Sequence, residues 1–206
     1  MHNWLLPESV EDILPVEALH IEAMRRQMID LMLVHGYQQI IPPLLEYLES
    51  LLSGSGKDMD LQTFKVIDQL SGRMMGLRAD MTPQAARNDA HLLNSDGITR
   101  LCYAGSVLHT ISSGITQTRE PLQVGAELYG HSGLESDLEI QQLMLKCLSI
   151  AGLSKIHLDL GHVAVFRSLI KQAEILPQLE TELFTTLQVK DLSTLKELCS
   201  HLQPSL

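Results

Sequence analysis

Polar side chains recur at every second position in the segment RADMT. Arg78, Asp80 and Thr82 stand two residues apart along the chain. In an extended backbone, residues at this spacing point to the same face, so the pattern predicts one shared face for all three side chains.

A second segment, PLQVGAELYG, shows the same alternation. It predicts a polar face that carries Gln123, Gly125, Glu127 and Tyr129. The opposite face is predicted to be apolar, with Leu122, Val124, Ala126 and Leu128. A glycine between an amide and a carboxylate leaves a notch floored by the backbone. Together with the carboxylate and hydroxyl of RADMT, these groups suit a small ligand that bears an ammonium group.

The same alternation has a second interpretation, which the spacing leaves open. Antiparallel sheets often have one face in the core and one face in solvent, and polar residues then alternate without any ligand.

Other motifs of catalysis and metal binding are absent from the sequence. The segment SGSGKD at 53–58 lacks the first glycine of a phosphate-binding loop, because Leu51 stands there, and Asp58 replaces the required Ser or Thr. The histidines and the three cysteines have no metal-ligand spacing, so we expect neither a metal nor a cofactor.

Composition narrows the class of protein. The chain has 206 residues, 45% hydrophobic and 19% charged, which is typical of a globular protein. Its net charge of -10 disfavours nucleic acid as a partner. Without a signal peptide, a run long enough to span a membrane or a disulfide framework, the sequence predicts a reducing, cytoplasmic location.

The first third of the chain is predicted to combine a helix with short strands. Apolar residues fall at helical spacing over 15–35, and Gly36 can end this helix in the left-handed conformation. A short apolar strand follows and closes at Pro42-Pro43, before a helical segment at 47–52.

The remainder alternates hairpins with helices. Turn residues and apolar runs predict a hairpin of 63–69 and 73–80 around Gly72, a helix from Thr82 to about Leu93, a hairpin of 99–110 and 119–130, a helix at 134–151 and a strand at 156–161. This order favours an α+β fold, an antiparallel sheet flanked by helices. We expect a core over 1–162 and a helical extension over 163–206. Because no later strand returns to the sheet, we also expect a fragment of a longer protein.

Five segments carry a resemblance to a known family. The segments GYQQIIPPLLEYLESLL, TFKVIDQLSGRMMGLRADMTPQAARNDAHLL, TRLCYAGSVLHT, REPLQVGAELYG and LDLGH resemble the core of class II histidyl-tRNA synthetases. More closely, they are similar to the ATP phosphoribosyltransferase regulatory subunits, paralogues of these synthetases. The resemblance extends from about Trp4 to Arg167 and includes no counterpart of the third class II motif.

The resemblance implies an amino-acid pocket and a homodimer. By resemblance, L-histidine would be held by Asp80, Thr82, Gln123 and Glu127, with Arg78 and Gly125 in support. These are largely the residues that the alternation had already placed on shared faces. The dimer would be built on the 15–35 helix and the strand that ends at Pro42-Pro43.

The positions that bind ATP in the synthetases are occupied by other residue types in this sequence. The resemblance aligns His109 and Gln117 with synthetase arginines and Ile111 with a glutamate. Without the guanidinium groups, adenylate formation would lose its main electrostatic support. We therefore expect no catalytic residue in this chain.

By resemblance, the chain would activate a short catalytic subunit of ATP phosphoribosyltransferase in histidine biosynthesis and allow its feedback inhibition by L-histidine. The partners would be that subunit and a second copy of the chain. Two alternatives remain open at this point: an active histidyl-tRNA synthetase, and a structural dimerisation module that no longer binds an amino acid.

Overall fold

The computed structural model describes residues 5–53, 57–112, 117–173 and 175–200, with the backbone alone at residues 57 and 58. The chain divides into two compact units, Met1–Ile156 and His157–Leu206. In chain order, the first unit contains α1 (Pro15–Val34), β1 (Gln38–Gln39), β2 (Leu45–Tyr47), α2 (Leu48–Leu51), α3 (Lys57–Gln62), β3 (Phe64–Ile67), β4 (Met74–Leu77), α4 (Thr82–Asn88), a π-helical turn (Asp89–Leu93), β5 (Thr99–Ser106), β6 (Leu122–Tyr129) and α5 (Leu134–Ile150).

The helix α1 ends where the sequence predicted. Its last residue is Val34, and Gly36 follows with φ +85°, a backbone conformation that glycine adopts without steric cost. The strand after it is shorter than predicted, because β1 pairs through two residues alone and the prolines that follow cannot donate to a ladder. The strand β2, which the sequence did not predict, begins just beyond them.

The main sheet has the order β1-β5-β6. The predicted long hairpin is confirmed: β5 and β6 pair antiparallel over eight residues, from Thr99 opposite Tyr129 to Ser106 opposite Leu122. The strand β1 runs parallel to β5 at its other edge. This register places Tyr103 directly opposite Gly125 on one face of the sheet.

A second sheet, of order β2-β4-β3, contains the predicted first hairpin. Gly72 lies in its turn with φ +71°, and its N–H donates to the carbonyl of Asp68. The chain leaves β4 at Leu77 and turns toward α4, so this hairpin delivers residues 78–82 to the edge of the main sheet.

Hydrophobic clusters cover both faces of the main sheet. On one face, Cys102 packs with α1 and α5 through Ile29, Met32 and Leu143, as the predicted apolar side of β6 requires. On the other face, Tyr103 packs with Met81 and Ala85 at the start of α4. The α+β architecture predicted from the order of elements is therefore confirmed.

Two predictions of local structure are wrong. Residues 78–82 are not one extended segment, because the backbone bends at Ala79 and Met81 and α4 begins at Thr82, where the sequence predicted a helix. The side chain of Arg78 is buried and donates to backbone carbonyls instead of sharing a face with Thr82. The predicted strand at 156–161 is also absent, since residues 153–162 adopt no regular structure.

The second unit is helical in the residues that the structure describes. It contains α6 (Val163–Gln172), α7 (Pro177–Gln188) and α8 (Leu192–Ser200). Phe166 and Phe184 join α6 to α7 with ring centroids 5.4 Å apart. In the part of the chain that the structure describes, no helix combines the length and the apolar character needed to cross a membrane.

Candidate ligand-binding site

The two polar segments of the sequence meet at one edge of the main sheet. Gln123 on β6 donates from Nε2 to Oδ1 of Asp80 over 2.6 Å. Its Oε1 accepts from the backbone N–H of Met81 over 2.9 Å. The amide therefore bridges the acidic side chain and the backbone of the loop that precedes α4, and fixes the carboxylate of Asp80 against β6.

Thr82 and Glu127, the other two predicted ligand-binding residues, are connected by hydrogen bonds to Tyr103. The hydroxyl of Tyr103 on β5 lies 3.1 Å from Oγ1 of Thr82 and donates to Oε1 of Glu127 over 3.0 Å. The ring of Tyr103 is 2% exposed, whereas Glu127 is half-buried and Thr82 is exposed. Tyr103 thus links the start of α4 to the carboxylate on β6.

The notch predicted at Gly125 is not open, because the absence of a side chain there makes room for the ring of Tyr103. A Cβ atom at position 125 would lie 2.5 Å from Cε2, Cζ and the hydroxyl oxygen of Tyr103. The space above the glycine is therefore filled by the phenol ring. A ligand would meet the polar rim around the ring, formed by Asp80, Thr82 and Glu127.

The site has an excess of negative charge. Among the described residues, neither Asp80 nor Glu127 takes part in an ion pair. Burial raises the pKa of the Tyr103 hydroxyl, and the nearby Glu127 carboxylate raises it further, so the tyrosine stays protonated and uncharged. Two carboxylates without cationic partners are suited to a cationic ligand.

The buried side chain of Arg78 stabilises the loop that precedes Asp80. Its Nη1 donates to the carbonyl of Pro42 over 2.7 Å and its Nε to that of Ser106 over 3.0 Å. Gly105 makes room for it, since a Cβ there would lie 2.6 Å from Nη2. Burial lowers the pKa of this guanidinium. Arg78 thus holds the loop before Asp80 between two backbone segments.

Side chains of α4 fix the helix that carries Thr82. Gln84 donates to the carbonyl of Pro43 over 2.8 Å and to Glu46 over 2.7 Å. Arg87 forms an ion pair with the same Glu46 at 2.6 Å. Since Glu46 lies on β2, these contacts tie α4 to the second sheet.

The three positions aligned with ATP-binding residues lie beyond the end of β5. His109 donates from Nε2 to the carbonyl of Ala79 over 2.9 Å, so its ring is packed against the loop that bears Asp80. Ile111 is 69% exposed. Gln117 is exposed and has φ +49°, while residues 113–116 lie outside the described residues.

A family model described as histidyl-tRNA synthetase matches residues 9–206. The chain belongs to the histidyl-tRNA synthetase family.

Several curated relatives carry the name ATP phosphoribosyltransferase regulatory subunit. The chain is 68% identical over 203 residues to the ATP phosphoribosyltransferase regulatory subunit of Nitrosospira multiformis, with 98% of this chain and 52% of the relative covered. It is 67% identical to the subunit of that name from Nitrosomonas europaea, with coverages of 96% and 51%. The chain therefore spans about half the length of the curated relatives it matches.

A solved structure has the same fold. The protein described as an ATP phosphoribosyltransferase regulatory subunit/histidyl-tRNA synthetase from Bacillus halodurans superposes with a TM-score of 0.86 at 29% identity. The match covers 99% of this chain and 53% of the other. The predicted class II synthetase core is thereby confirmed as the fold.

Sequence reasoning missed the residue at the centre of the site. Tyr103 was assigned to a strand, but its link to Thr82 and Glu127 depends on pairing between β5 and β6. A bulky residue opposite a glycine in the paired strand was the available signal. Tyr129, on the same face, is also notable, because its buried hydroxyl has no hydrogen-bond partner among the described residues.

The side chains of the site were compared with the requirements of a metal ion. Within the described ranges, no cluster of three or more His, Cys, Asp and Glu side chains has the geometry of a metal site. Its chemistry consists of carboxylates, an amide and hydroxyls, which bind a ligand through hydrogen bonds and charge.

Proposed function

We propose that this chain forms part of a regulatory subunit of ATP phosphoribosyltransferase. It activates a short catalytic subunit and allows L-histidine to inhibit it. The observation that carries this proposal is the 67–68% identity to relatives of that name over at least 96% of the chain. Since ATP and the other substrates of histidine biosynthesis are cytoplasmic metabolites, we expect the complex of regulatory and catalytic subunits in the cytoplasm.

The ligand of the site is L-histidine, held by its ammonium group. Asp80 and Glu127 supply negative charge, and the Thr82 hydroxyl and the Gln123 amide shape the rim between them. An ammonium group has three donors and no acceptor, so it is suited to a rim of oxygens. Two further residues contribute without contacting the ligand. Arg78 stabilises the loop that precedes Asp80, and Gly125 leaves space for the ring of Tyr103.

The chain supplies no catalytic group. A synthetase needs positive charge to neutralise the triphosphate of ATP, and the aligned positions hold His109, Ile111 and Gln117. The ring of His109 donates from Nε2 to the backbone carbonyl of Ala79, so this proton is already engaged within the protein. These features weigh against the alternative of an active synthetase.

Regulation then operates as a coupling free energy between two sites. L-histidine bound at the rim favours one state of the assembly, and the catalytic subunit is less active in that state. The rim lies where β6, β5 and α4 meet, so a bound ligand would contact all three elements.

A second copy of the chain is the other partner. The helix α1 exposes Val16 and Leu19, at 73% and 69%, and the segment before Pro42 exposes Ile41 at 86%. Met32, by contrast, lies in the core at 4% exposure and is unavailable to a dimer. Burial of the exposed residues would stabilise the homodimer that the resemblance implies.

Sedimentation of the protein from its complete coding sequence tests the dimer. We expect a dimer at micromolar concentration, and Ile41→Asp to shift it toward monomer. The control Leu70→Asp alters a residue that is 99% exposed at the tip of the β3–β4 hairpin, and should leave the dimer intact. A wild-type monomer would contradict the proposal, as would equal effects of both variants.

Co-purification tests the regulatory role. The protein from the complete coding sequence is expressed with the short catalytic subunit of the same organism, and one of the two carries an affinity tag. We expect both to co-elute as a complex of constant stoichiometry in size-exclusion chromatography. Two separate peaks at micromolar concentration would overturn the proposed function.

A further inference from the structure

The hydrogen bonds around Tyr103 have a defined direction. A tyrosine hydroxyl carries one proton, and here it is donated to Oε1 of Glu127, because a carboxylate can only accept. The hydroxyl oxygen therefore accepts at its other contact, the 3.1 Å approach to Thr82. Thr82 must donate its own proton to Tyr103, and the lone pairs of its oxygen remain available.

The amide of Gln123 is also fixed in direction. Its oxygen accepts from the N–H of Met81, and its nitrogen donates to Asp80. Exchange of the two amide atoms would place a nitrogen against an N–H and an oxygen against a carboxylate. The acceptor oxygen of the amide is therefore occupied by the backbone N–H of Met81. The second carboxylate oxygen of Asp80 remains available to accept from a ligand.

From the contacts of its hydroxyl we infer that Tyr103 is the positioning and specificity-determining residue of the rim, which orients Thr82 and Glu127 so that they present acceptors alone. A rim of acceptors attracts a group made of donors, such as an ammonium, and repels a carboxylate or phosphate. This inference rests on the proposed binding of L-histidine and adds the residue that sets its selectivity.

The packing of Tyr103 supports this role. Burial and the adjacent carboxylate raise the pKa of its hydroxyl, so it remains a donor throughout the physiological range. Its ring is fixed over Gly125 and is 2% exposed, which leaves the hydroxyl little freedom to turn. Tyr103→Phe keeps this ring but frees the Thr82 proton, which can then turn toward the ligand and oppose an ammonium group.

A second buried tyrosine provides a matched control. Tyr37 is also 2% exposed, and its hydroxyl also donates to a carboxylate, that of Glu139, over 2.9 Å. It packs against the opposite face of the sheet, in the cluster with Ile29 and Met32. Tyr37→Phe therefore removes an equivalent buried hydrogen bond away from the rim.

The test is a calorimetric titration of L-histidine into the protein from the complete coding sequence. We expect Tyr103→Phe to raise the dissociation constant about tenfold, as for one lost hydrogen bond in a charged network, and Tyr37→Phe to leave it within twofold. Thermal unfolding of both variants checks that each remains folded at the temperature of the titration.

A double-mutant cycle with Glu127→Gln separates positioning from general destabilisation. If Tyr103 acts through Glu127, the combined loss of affinity is at least threefold smaller than the product of the two single losses. The inference would be overturned if the combined loss of affinity equalled the product of the two single losses. It would also be overturned if both tyrosine variants lost affinity equally, or if Tyr103→Phe bound L-histidine as tightly as wild type. A wild-type protein that binds no L-histidine would instead overturn the proposed function on which it rests.

Discussion

Gln123 and Asp80 are joined by a hydrogen bond of 2.6 Å that crosses from β6 to the loop before α4. The two residues are 43 positions apart in the sequence and belong to segments that the alternation pattern had treated separately. Their contact, together with the link from Tyr103 to Thr82 and Glu127, makes one rim out of two motifs.

Replacement of the carboxylate at this rim should weaken ligand binding without loss of the fold. Glu127→Gln keeps the shape of the side chain but removes a charge-assisted acceptor, a loss of about 1.5–3 kcal/mol. We expect the dissociation constant for L-histidine to rise roughly ten- to hundredfold, measured by calorimetric titration. Binding as tight as in wild type, with an unchanged melting temperature, would reduce Glu127 to part of a solvated strand face.

A methyl group at Gly125 should disturb both the rim and the core. In Gly125→Ala, the new Cβ would lie 2.5 Å from the Tyr103 ring, which must move. Overpacking of this kind costs about 1–3 kcal/mol, so we expect a lower free energy of unfolding in urea titrations and weaker binding of L-histidine.

Gly97→Ala is the matched control for this substitution. A Cβ at Gly97 would meet its nearest neighbour, Oγ of Ser95, at an ordinary 3.8 Å. The two variants add the same methyl group within the same unit. An equal loss of stability in both would show that the ring of Tyr103 is not confined by Gly125.

The stability of the protein should depend on Glu139 in acid. Hydrogen bonds from Arg100 hold the pKa of this carboxyl at about 2, below its ordinary value of 4.5. A depressed pKa contributes stability that is present above about pH 4.5 and is lost as the pH falls toward 2. In urea titrations, Glu139→Gln should therefore be less stable than wild type at pH 7, and the difference should shrink below pH 4.5.

The exposed carboxylate Glu120 is the control for this pH dependence. Glu120→Gln should follow the wild-type curve at every pH. A constant gap between Glu139→Gln and wild type from pH 7 to pH 3 would contradict the assigned pKa.

The protein should not activate histidine. Each charged contact missing from an ATP site costs about 1.5–3 kcal/mol, so the replacements His109, Ile111 and Gln117 amount to several powers of ten in rate. We expect no histidine-dependent exchange of pyrophosphate into ATP, with an active histidyl-tRNA synthetase assayed in parallel. Robust exchange by the protein would restore the synthetase interpretation.

The sequence predicted the elements of this fold more fully than their contacts. Helical spacing and turn glycines located α1, the two hairpins and α5, because these signals are local. The alternation in β6 also assigned Gln123 and Glu127 to the correct face, since a strand fixes side-chain direction by itself.

The errors arose where direction depends on tertiary contacts. Period-two spacing predicted one shared face for Arg78, Asp80 and Thr82, although the helix correctly predicted to begin at Thr82 already removes that residue from an extended backbone. The space above Gly125 was predicted to be open, because the ring that fills it comes from the paired strand. The role of Tyr103 could follow only from the register between β5 and β6.

The regulatory role is tested most directly by the initial rate of phosphoribosyl-ATP formation by the short catalytic subunit. The rate is measured with and without the protein from the complete coding sequence, over a range of L-histidine concentrations, for wild type and Glu127→Gln. The account predicts that both proteins activate the enzyme, and that the variant needs about ten- to hundredfold more L-histidine for half-inhibition. Absence of activation by wild type, or identical inhibition curves for the two proteins, would contradict it.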